Sequence, residues 1–209
     1  MLGGSFDPIH HGHLRLAEEV REQLQLKRLL LIPARPWQRG TMASPEQRLA
    51  MVQLACHGNP HLLADGCEVQ RAGASYTVET LDLLRARLGS QIPVWLVLGA
   101  DAFLRLASWH QWERLADLCH IAVVPRPGSV LKPHSAPALA RWWQHQQASS
   151  DAQHGTGRLV ILDLPQLDIS ATAIRALVAA GRSPRYLLPD PVLDYIEIEG
   201  IYLQEGHGP

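Results

Sequence analysis

Apolar and polar positions alternate along this chain in two rhythms. Leu14, Leu16, Ala17, Val20 and Leu24 recur at helical spacing, with Glu18, Glu19, Arg21 and Glu22 between them. That spacing predicts an amphipathic helix over residues 14–24. Residues 28–33 then form a short run, apolar after Arg28 and closed by Pro33, as expected of a parallel strand buried on both faces. The same alternation continues. Ser44, Pro45 and Gln47 open a helix that runs to about Cys56. Residues 67–71 read as a strand, and residues 75–81 lead into a helix ending near Gly89. Residues 93–99 are the clearest buried strand, followed by strands at 120–125 and 159–164. Ser170 caps a helix over 173–180, closed by Gly181. A last helix covers 191–198, and Ile201, Tyr202 and Leu203 read as a short strand.

Strands alternating with helices from end to end predict an α/β fold: a doubly wound parallel sheet in a three-layer α/β/α arrangement. One segment falls outside the rhythm. Residues 129–157 are polar and irregular, with a helix expected over 136–145 anchored by Trp142 and Trp143, and they read as a surface excursion. The start is also unusual. The first strand should precede Gly3, where only Met1 and Leu2 stand, so a few upstream residues are expected to be missing.

Composition narrows the class. The chain has 209 residues, 46% hydrophobic and 19% charged, enough for one well-buried domain. No apolar run reaches the ~20 residues of a membrane span. The N-terminus has no basic and apolar leader, so a cytoplasmic location is expected. Three scattered cysteines, Cys56, Cys67 and Cys119, show no metal-ligand spacing and read as small buried hydrophobes in a reducing compartment. A net charge of −1 leaves no broad footprint for nucleic acid. Phosphate binding must therefore come from a few placed groups.

Two stretches offer such groups. Gly3, Gly4 and Ser5 open a turn that runs through Phe6 and Asp7 to His10, Gly12 and His13, just before the first helix. Glycine permits close backbone approach, and a helix N-terminus favours anions. His10 and His13 add imidazole donors. Far downstream, the hydroxyls of Ser170 and Thr172 and the guanidinium of Arg175 flank another helix start. In a doubly wound sheet two such helix starts can meet at the topological switch point. Asp101, just past a strand end, suits a ligand or a cation bound to one. Trp109 either packs or stacks on a flat heterocycle, whereas Trp112 is expected to pack. Arg35 and Arg39 lie on a loop within reach of phosphates or simply in solvent. No nucleophile motif appears: GxSxG, the Walker A pattern and GxGxxG with a later acid are all absent. What remains suits phosphoryl or nucleotidyl transfer by positioning, where placement alone supplies ~7–11 kcal/mol.

GGSFDPIHHGHL, from Gly3 to Leu14, resembles the opening signature of bacterial nicotinate-nucleotide adenylyltransferases, with its HxGH at His10 to His13. Tyr76 to Leu81 is similar to the family's YTxxTL, and Gly99, Asp101 and Trp109 to its GxD…W. Arg126-Pro127-Gly128 and Ile169 to Arg175 are similar to its RPG and ISxTxIR. The motifs follow the family's order over nearly the whole chain, which then reads as one nucleotidyltransferase domain over 1–209. HxGH alone would indicate only the wider nucleotidyltransferase superfamily.

The resemblance implies transfer of AMP from ATP to nicotinate mononucleotide, with Mg²⁺ carried mainly by the ATP phosphates and no protein metal site. It implies catalytic roles for His10, His13 and Arg175. ATP would be met by Gly3, Ser5, Phe6, His10, His13, Gly99, Asp101, Ile169, Ser170, Thr172 and Arg175. Nicotinate mononucleotide would be met by Ser5, Arg39, Thr77, Asp101, Trp109, His110 and Arg126. No nucleic-acid or membrane partner is implied, and a homo-oligomer is allowed. One departure stands out. Many members carry Pro-Pro-His-Lys in the loop after the second strand, where this chain has Pro36-Trp37-Gln38-Arg39. Gln38 hydrogen-bonds but cannot carry charge. The competing readings are another HxGH transferase, such as the phosphopantetheine enzyme, and a non-catalytic nucleotide sensor.

Overall fold

A computed structural model describes residues 1–35, 42–125, 139, 140, 142, 144 and 156–203. Six strands form one sheet: β1 (Leu2–Gly4), β2 (Leu29–Pro33), β3 (Leu62–Ala64), β4 (Trp95–Gly99), β5 (His120–Val124) and β6 (Leu159–Ile161). Their order is β3-β2-β1-β4-β5-β6. Registers such as Leu2 opposite Val97, Leu30 opposite Leu63 and Ala122 opposite Val160 are parallel. This is the strand order of a doubly wound sheet, flanked by helices, as the alternating pattern predicts.

The chain divides into two compact units. One comprises Met1–Leu2 and Ser75–Leu164, the other Gly3–Ala74 and Pro165–Pro209. In the first unit, β4 and β5 are buried along nearly their whole length, Leu96, Val97, Ile121 and Val123 among them, as their apolar runs predict. Helix α3 (Thr77–Leu88) buries Val78, Leu81 and Leu84 at helical spacing. Short helices α4 (Ala100–Leu104) and α5 (Leu115–Leu118) follow β4 and precede β5. Trp112 is buried and meets the Trp142 ring at 5.8 Å, the packing role expected of it. Most of 129–157, including Trp143, lies outside the described residues.

In the second unit, α1 covers His11–Gln23, three residues earlier than the apolar periodicity suggested. His10 therefore becomes its N-cap and His13 sits in its first turn. Helix α2 (Pro45–Cys56) starts as read from sequence: Ser44 Oγ accepts the Gln47 N–H, and the Gln47 side chain accepts the Ser44 N–H. Helices α6 (Ala171–Ala179) and α7 (Asp190–Ile198) complete it.

Two expected strands are absent. Residues 67–69 form a turn, because Asp65 Oδ1 accepts the Cys67 N–H and the β-pairing run ends at Ala64. Residues 201–202 form a turn as well. Gly200 takes φ 62°, the Gly200 N–H donates to the Glu197 carbonyl, and the Ile201 N–H donates to the Ile196 carbonyl. That Schellman closure of α7 turns Ile201 and Tyr202 inward, and both are buried. β6 also stops at Ile161, earlier than expected. The three cysteines are buried, and burial pushes the Cys119 thiol up to about 12.

Candidate functional site

The residues singled out by sequence divide between the two units. The phosphate chemistry lies in one of them. His10, the N-cap of α1, is extended and buried, with His13 half-buried a turn along. Their rings stack with centroids 3.7 Å apart and planes 23° apart. The His10 N–H donates to His13 Nδ1 at 3.3 Å. In the neutral His13 ring this puts the proton on Nε2, leaving that edge as a donor. Beneath it lies Phe6, 1% exposed, edge-on to His13 at 5.0 Å and 85°. Phe6 holds φ 45°, an uncommon conformation for a bulky residue, which turns its ring inward.

Two glycines fit this packing. A Cβ on Gly4 would come within 3.1 Å of the Phe6 ring. One on Gly12 would come within 3.0 Å of the His10 ring and 3.4 Å of the Leu167 carbonyl. The glycine inside HxGH thus makes room for the first histidine. Gly3 and Ser5 are exposed at the rim.

Both histidines are held neutral. Burial, then the nearby His11, lowers His10 to about 4. Burial, then His10 itself, lowers His13 to about 3. Two rings stacked this closely also resist joint protonation. An anion brought against them would favour the protonated form, so the pair can answer charge with charge.

The second helix start is in the same unit. Ser170 Oγ accepts the Ala173 N–H at 3.2 Å, the cap expected of it. Ser170 and Thr172 are exposed, and Ile169 and Arg175 are half-buried. Arg175 Nη1 donates to the Asp7 carbonyl at 2.7 Å and Nη2 to Thr172 Oγ1 at 3.3 Å. Its guanidinium is therefore anchored on the turn that leads to His10. Arg175 and the histidines, more than 160 residues apart in sequence, share that turn as a common support.

Asp7, Arg48 and Tyr202 were missed by sequence reasoning. Asp7 is 2% exposed. Its Oδ2 accepts the Met42 N–H at 2.8 Å, and its Oδ1 accepts the Ala43 N–H at 3.1 Å and the Tyr202 hydroxyl at 2.7 Å. Arg48 is wholly buried and donates from Nη1 to the Ser5 carbonyl at 2.6 Å. Desolvation lowers its pKa, opposed by the charge of Asp7. A signal for Arg48 existed: residues 48, 51 and 52 share one helical face, which puts this arginine on the stripe of Met51 and Val52. Arg35, read as reaching phosphates or lying in solvent, donates to the Val69 and Arg71 carbonyls at 3.2 and 2.8 Å.

The other unit holds Thr77, Gly99, Asp101, Trp109 and His110. Thr77 opens α3, Gly99 ends β4 and Asp101 lies in the first turn of α4. Trp109 is half-buried and His110 exposed. Tyr76 stacks on His110, with ring centroids 4.5 Å apart and planes tilted by 39°. Gln38, Arg39 and Arg126 lie outside the described residues. Among the described residues no cluster of three or more His, Cys, Asp or Glu could hold a metal ion. Nor is any described helix long and apolar enough to cross a membrane.

A family model described as cytidylyltransferase-like matches residues 1–177. A Marinobacter nauticus protein named a probable nicotinate-nucleotide adenylyltransferase is 48% identical over 206 residues, covering 97% of this chain and 95% of the relative. An Acidithiobacillus ferrooxidans protein of the same name is 42% identical over 208 residues, covering 97% and 94%. Among solved structures, Plasmodium falciparum nicotinic acid mononucleotide adenylyltransferase, in complex with NaAD, has a TM-score of 0.72 over 96% of this chain and 95% of that one. At 15% identity, that likeness shows the fold alone. The motifs from Gly3 to Arg175 thus sit in a chain related along nearly its whole length to proteins bearing one name, and it belongs with them to the nicotinate-nucleotide adenylyltransferases of the cytidylyltransferase-like family.

Proposed function

We infer that the protein transfers AMP from ATP to nicotinate mononucleotide, releasing pyrophosphate and forming nicotinate adenine dinucleotide for NAD biosynthesis. The structural observation that carries this reading is the stacked, neutral His10–His13 pair, supported by the same turn that anchors Arg175. The names of relatives at 42–48% identity supply the substrates.

In this reaction an oxygen of the mononucleotide 5′-phosphate attacks the α-phosphorus of ATP. A phosphorus–oxygen bond forms there, and the bond to the oxygen bridging α and β phosphates breaks. Charge builds on the pyrophosphate that leaves. The protein's task is alignment and neutralisation of that charge. His13 donates from Nε2 and His10 adds a second imidazole, each more easily protonated once phosphate is near. Arg175 supplies a fixed positive charge, and Ser170 and Thr172 add hydroxyls at the α6 start. Mg²⁺ prefers oxygen ligands and the imidazole and guanidinium nitrogens suit it poorly, so the cation would be carried by the triphosphate, whose charge it would offset. In the other unit, Trp109 is assigned to the pyridine ring, Thr77 and His110 to the nicotinate carboxylate end, and Asp101 to sugar hydroxyls. Three buried cysteines fit a cytoplasmic setting.

The test is pyrophosphate release with ATP, Mg²⁺ and nicotinate mononucleotide, run beside nicotinamide mononucleotide and phosphopantetheine. Turnover should be highest with nicotinate mononucleotide. Equal or better turnover of either comparator would overturn the substrate assignment, and no turnover with any would favour a nucleotide sensor.

A further inference from the structure

We propose that Tyr202 is a positioning residue for the phosphate site, acting through its hydroxyl on the Asp7 carboxylate. This rests on the adenylyl transfer inferred above. Tyr202 follows the last helix and lies beyond the segment matched by the family model, residues 1–177. Its hydroxyl nevertheless reaches back 195 positions to Asp7 Oδ1, at 2.7 Å. A phenylalanine would fill the same space but make no such bond.

Asp7 is the point where several segments are tied. Its carboxylate accepts the Met42 and Ala43 N–H groups just before α2. Its carbonyl holds the Arg175 guanidinium. Three residues on stands His10. Arg48 grips the same turn two residues earlier, at the Ser5 carbonyl. A shift of Asp7 would therefore move the histidine pair and Arg175 together. Misplacement by about 1 Å at such a site can cost ~100-fold in rate.

The direction of the bond is fixed by what surrounds it. Burial and the neighbouring carboxylate push the Tyr202 phenol far above its ordinary range, so it stays a donor at any physiological pH. Tyr202 itself takes φ 70°, an uncommon conformation for a bulky residue, held just after the α7 closure at Gly200. The chain thus adopts an unfavourable backbone angle where it delivers this hydroxyl to Asp7. Nothing in the proposal requires Tyr202 to touch substrate.

The test is Tyr202→Phe, which keeps the ring and removes the donor. A hydrogen bond to a charged group is strong enough that kcat should fall by about tenfold, with MgATP affinity weakened severalfold. The KM for nicotinate mononucleotide should stay within about twofold, and the melting temperature should change by only a few degrees. In an Arg175→Ala background the same change should cost less than in the native one, because part of its effect runs through that guanidinium. Native kcat and MgATP affinity in Tyr202→Phe would overturn the proposal. So would a large fall in melting temperature with unchanged kcat per folded molecule, which marks a purely structural tyrosine. MgATP binding, measured by calorimetry, needs no turnover. It tests the positioning role even if the native protein releases no pyrophosphate, an outcome that would instead defeat the functional reading.

Discussion

The turn proposed to hold phosphate and the Tyr76–His110 pair on the other unit are built on different principles. His10 and His13 are stacked, backed by Phe6 and tied through Asp7 to Arg175, Tyr202 and the 42–43 backbone. Tyr76 and His110 stack on one another at the surface, and Tyr76 is 37% exposed. One arrangement rests on several buried hydrogen bonds; the other is a ring pair open to solvent. The contrast suits the two proposed tasks. Charge developing on a phosphate needs donors already in place, since reorganising them during reaction costs rate. A flat ring can be gripped by side chains that adjust, because stacking is tolerant of small shifts.

The contrast can be broken first at His13. His13→Ala should keep the fold and lower kcat by roughly 100-fold or more, as expected for removal of a placed donor. Circular dichroism and pyrophosphate release measure the two sides, and unchanged turnover would take His13 out of the mechanism. Gly12→Ala should come next. The added methyl presses on the buried His10 ring, and kcat should drop by about tenfold or more through misplacement. Should the rigid picture be wrong, this variant would be nearly as active as the native protein.

On the aromatic side the effects should be smaller and of another kind. Trp109→Ala should raise the KM for nicotinate mononucleotide by about tenfold at most, at little cost in kcat, in line with ~0.5–1.5 kcal/mol for an aromatic pair. A kcat loss as deep as that of His13→Ala would erase the distinction between the two regions.

The smallest effect concerns acid. His10 and His13 are lowered from the ordinary 6.5 to about 4 and about 3 in the folded chain. Between 6.5 and those values the unfolded chain binds more protons, so stability falls as pH falls. The contribution is fully present above 6.5 and is lost progressively as acid approaches 4 and then 3. Melting temperature should therefore decline from pH ~7 to pH ~5, and His13→Gln, which cannot take up a proton, should flatten that slope. His120, lowered to about 4 by burial in the other unit, contributes in the same sense and should leave a residual slope.

Legibility followed the range of the interactions involved. The Ser44 and Ser170 caps were readable because a cap is written in four consecutive residues. β4 and β5 were readable because burial on both faces demands unbroken apolar runs. The helix carrying HxGH was placed three residues late, because its first turn bears histidines in place of apolar residues. Residues 67–69 and 201–202 were misread as strand because apolar content alone does not separate a strand from a buried turn. Asp7 and Tyr202 carried no local signal, since each is satisfied by a partner far along the chain.

By itself, then, the sequence determined the alternating architecture, the helix caps and the family, because these depend on local periodicity and on contiguous motifs. Only the tertiary structure decided that the Asp7 turn holds Arg175 by its carbonyl and Tyr202 by its carboxylate. Only it decided that the histidines stack neutral against Phe6. Those outcomes follow from desolvation and from hydrogen bonds between residues up to 195 positions apart, and both exist only once the chain has closed around them.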